Sequence, residues 1–163
     1  MDAPDDALRA NLRALSAILQ QLHLQLLNAE RPVGEDSGGL ALLERITNDP
    51  AWAWLRHLTS LIAEIDHALA GEQRISGEEG AHVASRVRSL LLGLGDHVNE
   101  PFLQRYRTLL PFHVALASLH GQVRRLLEQF PAPSDDESER LHARHVWAMR
   151  LQHGTRAGRK RHT

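Results

Sequence analysis

Leu8, Leu12, Leu15, Leu19, Leu22 and Leu26 follow one another at intervals of four, three, four, three and four. No other feature limits the fold so tightly, because a sustained heptad seam specifies a long helix packed along one apolar stripe. The spacing predicts a helix from about Pro4 to Glu30, with Asp5 and Asp6 in its first turn to complement the helix dipole. At roughly 25 residues it is long for a globular helix and can span the length of a bundle. A second seam recurs near the other end, through Phe112, Leu116, Leu119, Val123, Leu126 and Phe130. No part of the chain alternates with a period of two, so the expected fold is all-α.

The segments between the seams supply starts and stops. Arg31 to Gly39 reads as a loop, and Leu40 to Ile46 as a short accessory helix. Asp49 and Pro50 then open a helix with Leu55, Leu58, Ile62, Ile65 and Leu69 on one face, and Gly71 is expected to end it in the left-handed conformation. Ser76 and Glu79 have capping-box spacing before a helix carrying Val83, Val87, Leu90 and Leu94, closed by Gly93 and Gly95. Asn99 can cap the next segment, with Pro101 near its start, and Leu109-Leu110-Pro111 interrupts it. The expected architecture is an antiparallel four-helix-bundle-like domain over residues 4–130, with the accessory helix beside it. Residues 131–138 have linker composition, and residues 139–163 form a basic C-terminal extension, partly helical or disordered. Trp147 and Met149 need cover, but the apolar stripe over Leu141 to Gln152 is poor.

Charge divides the chain at the same place. Arg140, Arg144, Arg150, Arg156, Arg159, Lys160 and Arg161 account for 7 of its 19 basic residues, and none of its 20 acidic residues lies beyond them. Residues 1–139 therefore carry −8 and the remainder +7. A basic arm on an acidic body points to a protein partner or nucleic acid as its target. Without cysteine, disulfides, zinc–thiolate sites and thiol catalysis are excluded. The acidic, amphipathic start has no signal-peptide pattern, and no apolar stretch approaches the roughly 20 residues of a membrane span, so a cytoplasmic location and no membrane partner are expected.

Eleven histidines raise the question of metal. Glu64 and His67, like Glu139 and His142, have the Glu-x-x-His spacing that di-iron bundles use. His67 nevertheless falls about 200° around the helix from Ile65, which turns it toward solvent. His142 and His145 are spaced as an i, i+3 pair, whereas His113 and His120 lie about 10.5 Å apart along a helix axis. His23, His57, His82, His113 and His120 each sit beside a seam residue. Such boundary positions suit a half-polar ring. The sharper alternative is a metal site drawn from His23, Glu64, His67, His113 and His120. No nucleophile elbow, P-loop or dinucleotide-binding turn is present, and no cofactor is expected. Trp52 and Trp54 point about 160° apart on a helix, which makes their region a candidate interface.

Leu22–Arg31 (LHLQLLNAER), Pro32–Gly34 (PVG) and Asn48–Asp66 (NDPAWAWLRHLTSLIAEID) together resemble a family of small, uncharacterised helical proteins from proteobacteria. The resemblance implies a bacterial, cytoplasmic helical protein and brings no activity, ligand or catalytic residue. The resulting expectation is a non-enzymatic interaction or regulatory protein that self-associates. Its alternatives are a metal-binding bundle and a nucleic-acid-associated protein working through residues 140–163.

Overall fold

The structure, a computed structural model, describes residues 3–30, 50–95 and 97–159. Those residues form six α-helices joined by short 3-10 and π-helical turns, with no strand among them. The helices are α1 (Ala3–Glu30), α2 (Arg56–Ala70), α3 (Gly77–Val87), α4 (Glu100–Leu109), α5 (Val114–Leu127) and α6 (Glu137–Arg159). The fold is all-α. The expected accessory helix, Leu40–Ile46, and the Asp49 cap lie outside the described residues.

Helix α1 is the spine. All six leucines of its seam are buried, and the helix packs on α5, α2 and α3. Burying one such side chain contributes about 1.5–3 kcal/mol relative to leaving it in water. Where α1 meets α3, Gly80 stands against Leu8; a Cβ there would come within 2.6 Å of a Leu8 methyl. The second seam is buried from Leu116 to Phe130, but Phe112 is 80% exposed. Pro111 explains the difference. It turns Leu110–Phe112 into a single 3-10 turn, so Phe112 lies outside the helix whose face the seam describes.

Helix α2 begins later than its sequence pattern suggests. Pro50–Leu55 is a 3-10 turn, and the α-helix opens at Arg56. Its buried positions are Leu58, Leu61, Ile65 and Ala68, while Ile62 and Leu69 are only partly covered. The stripe is rotated because α2 packs on both α1 and α6, which centres its contact face between two neighbours. Gly71 is extended, at φ −75° and ψ 155°, and does not take the left-handed turn expected of it. The loop it enters is instead pinned by Arg9, whose guanidinium donates to the carbonyls of Leu69, Gly71 and Gln73.

The Ser76 capping box is complete: Glu79 N–H donates to Ser76 Oγ at 3.2 Å, and Ser76 N–H donates to Glu79 Oε2 at 2.8 Å. After Val87 the helix widens into a π turn over Arg88–Leu92, ended by Gly93 at φ +68°. That left-handed residue turns the chain away, leaving Leu94 58% exposed and outside the stripe of Val83, Val87 and Leu90. Asn99 caps α4 through Phe102 N–H at 3.1 Å.

Helix α6 extends the packed structure well past residue 130. It packs on α3 and α2, with Ala143 and Trp147 buried and Trp147 part of the continuous apolar core. The segment expected as a linker is tied down as well. Ser134 N–H donates to Glu78 at 3.4 Å, and Asp136 accepts from Ser138 N–H at 2.9 Å across the first turn of α6.

Candidate functional site

Where α2 and α3 receive α6, several polar contacts join the three helices. Glu64 of α2 accepts a two-pronged pair from the Arg86 guanidinium of α3, one prong at 3.2 Å, and the Trp147 indole N–H of α6 at 3.1 Å. Two turns along α3, Glu79 accepts from Arg150 of α6 at 2.9, 3.1 and 3.1 Å. Both partners of this second pair are buried, with 2% of the Glu79 side chain and 8% of the Arg150 side chain exposed. One carboxylate thus closes the N-terminus of α3 and holds α6. Arg150 also donates to the carbonyls of Gln73 and Arg74 in the loop before α3, at 3.4 and 2.8 Å. Its donors are matched to acceptors that the low-dielectric interior makes costly to leave alone.

His82 stands half-buried in the same groove. Burial lowers its pKa, and the charges of Arg86 and Arg144 lower it further, while Glu64 and Glu79 act in the opposite direction. The ring is held toward its neutral form, which avoids adding a third cation beside two arginines.

Two other histidines flanking the seams, His23 and His120, each join one helix to another. His23 Nε2 on α1 lies 3.0 Å from Thr59 Oγ1 on α2. The Thr59 hydroxyl proton is directed to the Leu55 carbonyl at 3.1 Å, so the imidazole N–H is the donor to Thr59. His120 Nδ1 on α5 lies 2.8 Å from the Tyr106 hydroxyl on α4. Burial lowers both imidazoles and raises the Tyr106 phenol, so the His120–Tyr106 bond joins a neutral-leaning ring to a protonated hydroxyl. Tyr106 continues a row of rings through Phe102 to Trp54, with Arg105 over the Trp54 indole and paired to Glu30 at 2.6 Å.

The candidate metal residues do not converge. His23 and His120 are engaged with Thr59 and Tyr106, Glu64 with Arg86 and Trp147, and His67 and His113 are half-buried on α2 and before α5. Among the described residues no three histidine, aspartate or glutamate side chains stand close enough to hold one metal ion. His57, His142 and His145 are exposed, and Glu139 accepts from the Ser134 hydroxyl. His67 is less exposed than its helical position implies, because Ala68 beside it faces the core.

Among the described basic residues of the C-terminal segment, Arg150 is held by Glu79, and Arg140 donates to the Ser134 carbonyl at 2.6 Å. Arg144 is exposed, and the side chains of Arg156, Arg159, Lys160 and Arg161 lie outside the described residues. Trp52 is buried, while Trp54 is half-buried with an indole N–H that has no partner among the described residues. Sequence reasoning missed the roles of Glu79, Arg150 and Trp147 at the groove. The one local signal was Ala143, Trp147 and Arg150 at intervals of four and three, a stripe that reads as weak because its last member is charged.

No family model, curated protein or solved structure matches the chain. No helix among the described residues is long and apolar enough to cross a membrane. The functional reading therefore rests on geometry.

Proposed function

We propose that this chain is a non-enzymatic, self-associating helical interaction protein, built to hold an amphipathic helix through tryptophan and arginine anchors. The observation that carries this reading is the seating of α6: a buried indole donating to Glu64 and a buried guanidinium on Glu79, three residues apart on one helical face. Tryptophan and arginine in desolvated pockets are the side chains that dominate binding energy at protein interfaces. Other polar pairs between helices support the same conclusion. Ser16 with Asp66, His23 with Thr59, and Tyr106 with His120 each join one helix to another, which is the work of a scaffold.

Sedimentation velocity over a wide concentration range, at low and high salt, tests the proposal. A mass that rises with concentration is expected. A constant monomer mass throughout would overturn self-association. Salt-sensitive retention on DNA or RNA, lost when Arg156, Arg159, Lys160 and Arg161 are changed to serine, would replace it with a nucleic-acid reading.

A further inference from the structure

His82 stands on the flank of α3 that meets α6. Helical geometry places Glu78, Glu79, His82 and Arg86 within about 100° of arc on α3. The other three members of that arc all act on α6 or on the turn leading into it. Glu78 accepts from Ser134 N–H, Glu79 holds Arg150, and Arg86 pairs with the same Glu64 carboxylate that takes the Trp147 indole. Helix α1 meets a different flank of α3, where Gly80 stands against Leu8. The half-buried imidazole therefore lies along the α3–α6 seam, between its two carboxylate pairings.

The charges acting on the ring are Glu64 from α2, Arg144 from α6, and Glu79 and Arg86 on α3 itself. Both carboxylates are already taken, Glu64 by Arg86 and Trp147, and Glu79 by Arg150 and its own helix cap. A neutral His82 thus leaves the exposed Arg144 as a cation beyond those pairings. A protonated His82 adds another on the α3 side of the seam, and the two repel across the surface that must close. Drawing Glu64 or Glu79 onto the imidazolium does not repair this, because it takes an acceptor from Trp147 or Arg150.

Resting on the seating of α6 that carries the interaction reading above, we propose that His82 is an acid-sensitive latch for the C-terminal helix. Uncharged, it lets α6 close on α3; protonated, it loosens α6 while α1 and α2 stay packed. Burial, Arg86 and Arg144 hold the ring below its ordinary 6.5, so the latch is shut at neutral pH and opens progressively as pH falls below that value. His23 and His120 join other helix pairs and serve as internal controls.

Hydrogen exchange on the full-length chain at about pH 7.5 and about pH 5, corrected for intrinsic rates, tests the latch. The protection of residues 137–151 relative to that of α1 is expected to fall about fivefold on acidification and to stay level in His82→Gln. A relative protection that does not change with pH, or the same fall in His82→Gln, overturns the latch. His120→Gln should keep the wild-type response of α6, and loss of the response there overturns its assignment to His82. Should His82→Gln fail to fold, Arg144→Gln replaces it. With the opposing cation gone the fall shrinks; a fall as large as in the wild type overturns the proposal. A constant monomer mass in sedimentation would remove self-association and leave this result standing, whereas a flat protection ratio would remove the latch and leave self-association untouched.

Discussion

Helices α1 and α6 are both long, yet different physics holds them to the same body. Helix α1 is fixed by seven buried leucines, the six of its seam and Leu27, in a contact that is apolar, continuous and tolerant of small shifts. Helix α6 is fixed at a few points by a tryptophan, an alanine and two hydrogen-bonded carboxylate pairings facing two helices. The first kind of contact stabilises in proportion to area and dictates no unique partner. The second depends on geometry and charge, so it is specific and can fail locally. The contrast makes α1 the apolar spine and α6 a helix held at a small number of named side chains.

Substitutions on the two helices should therefore fail differently. Leu19→Ala removes a fully buried side chain from the spine and should cost about 4 kcal/mol, lowering every probe of denaturant unfolding together. Separate transitions for α1 and α6 in that variant would contradict α1's role as the common spine.

Arg150→Ala leaves the Glu79 carboxylate buried without its partner and should cost about 3 kcal/mol of α6 docking. Hydrogen exchange should then show amides of residues 137–151 losing protection while those of α1 keep theirs. An even loss over both helices would break the comparison. Trp147→Phe keeps most of the ring but removes the N–H given to Glu64, a loss of about 1.5 kcal/mol with the same local signature.

Acid should act in a defined direction. His23, His82 and His120 all have folded-state pKa values below the ordinary 6.5, chiefly through burial. The unfolded chain therefore binds protons that the fold resists, so their contribution is complete above pH 6.5 and is lost as pH falls through the folded values. Denaturant midpoints measured across that range should decline on acidification, with a shallower decline in His82→Asn. The smallest effect is expected of Leu141→Gln on the open side of α6, within about 0.5 kcal/mol by thermal unfolding.

The legible parts of this fold were local. Leu8 to Leu26 announced α1 with every seam residue correctly assigned to the core, and Ser76 with Glu79 announced the start of α3. Gly93 and Gly71 show how far such signals reach. Both were read as helix stops, Gly71 in the left-handed conformation; Gly93 takes that conformation and Gly71 does not, because Arg9 reaches from α1 to hold the carbonyl of Gly71. The exposure of Phe112 and the rotation of the α2 stripe have a similar origin in a break or a neighbour outside the local pattern.

The candidate site was less legible because its members are far apart in the chain. The histidines beside the seams were visible, and the structure places His23 and His120 at two separate helix pairs and leaves His57 exposed. Glu79 was visible as half of a capping box, while its second role needs a partner 71 positions away. The sequence alone determined an all-helical chain, its long apolar seams and its caps, since side-chain periodicity and backbone hydrogen bonding act over a few residues. Only the tertiary structure decided that the C-terminal helix is seated on the body by way of Trp147 and Arg150. Burial and charge pairing depend on which faces meet in space, and no local spacing records that.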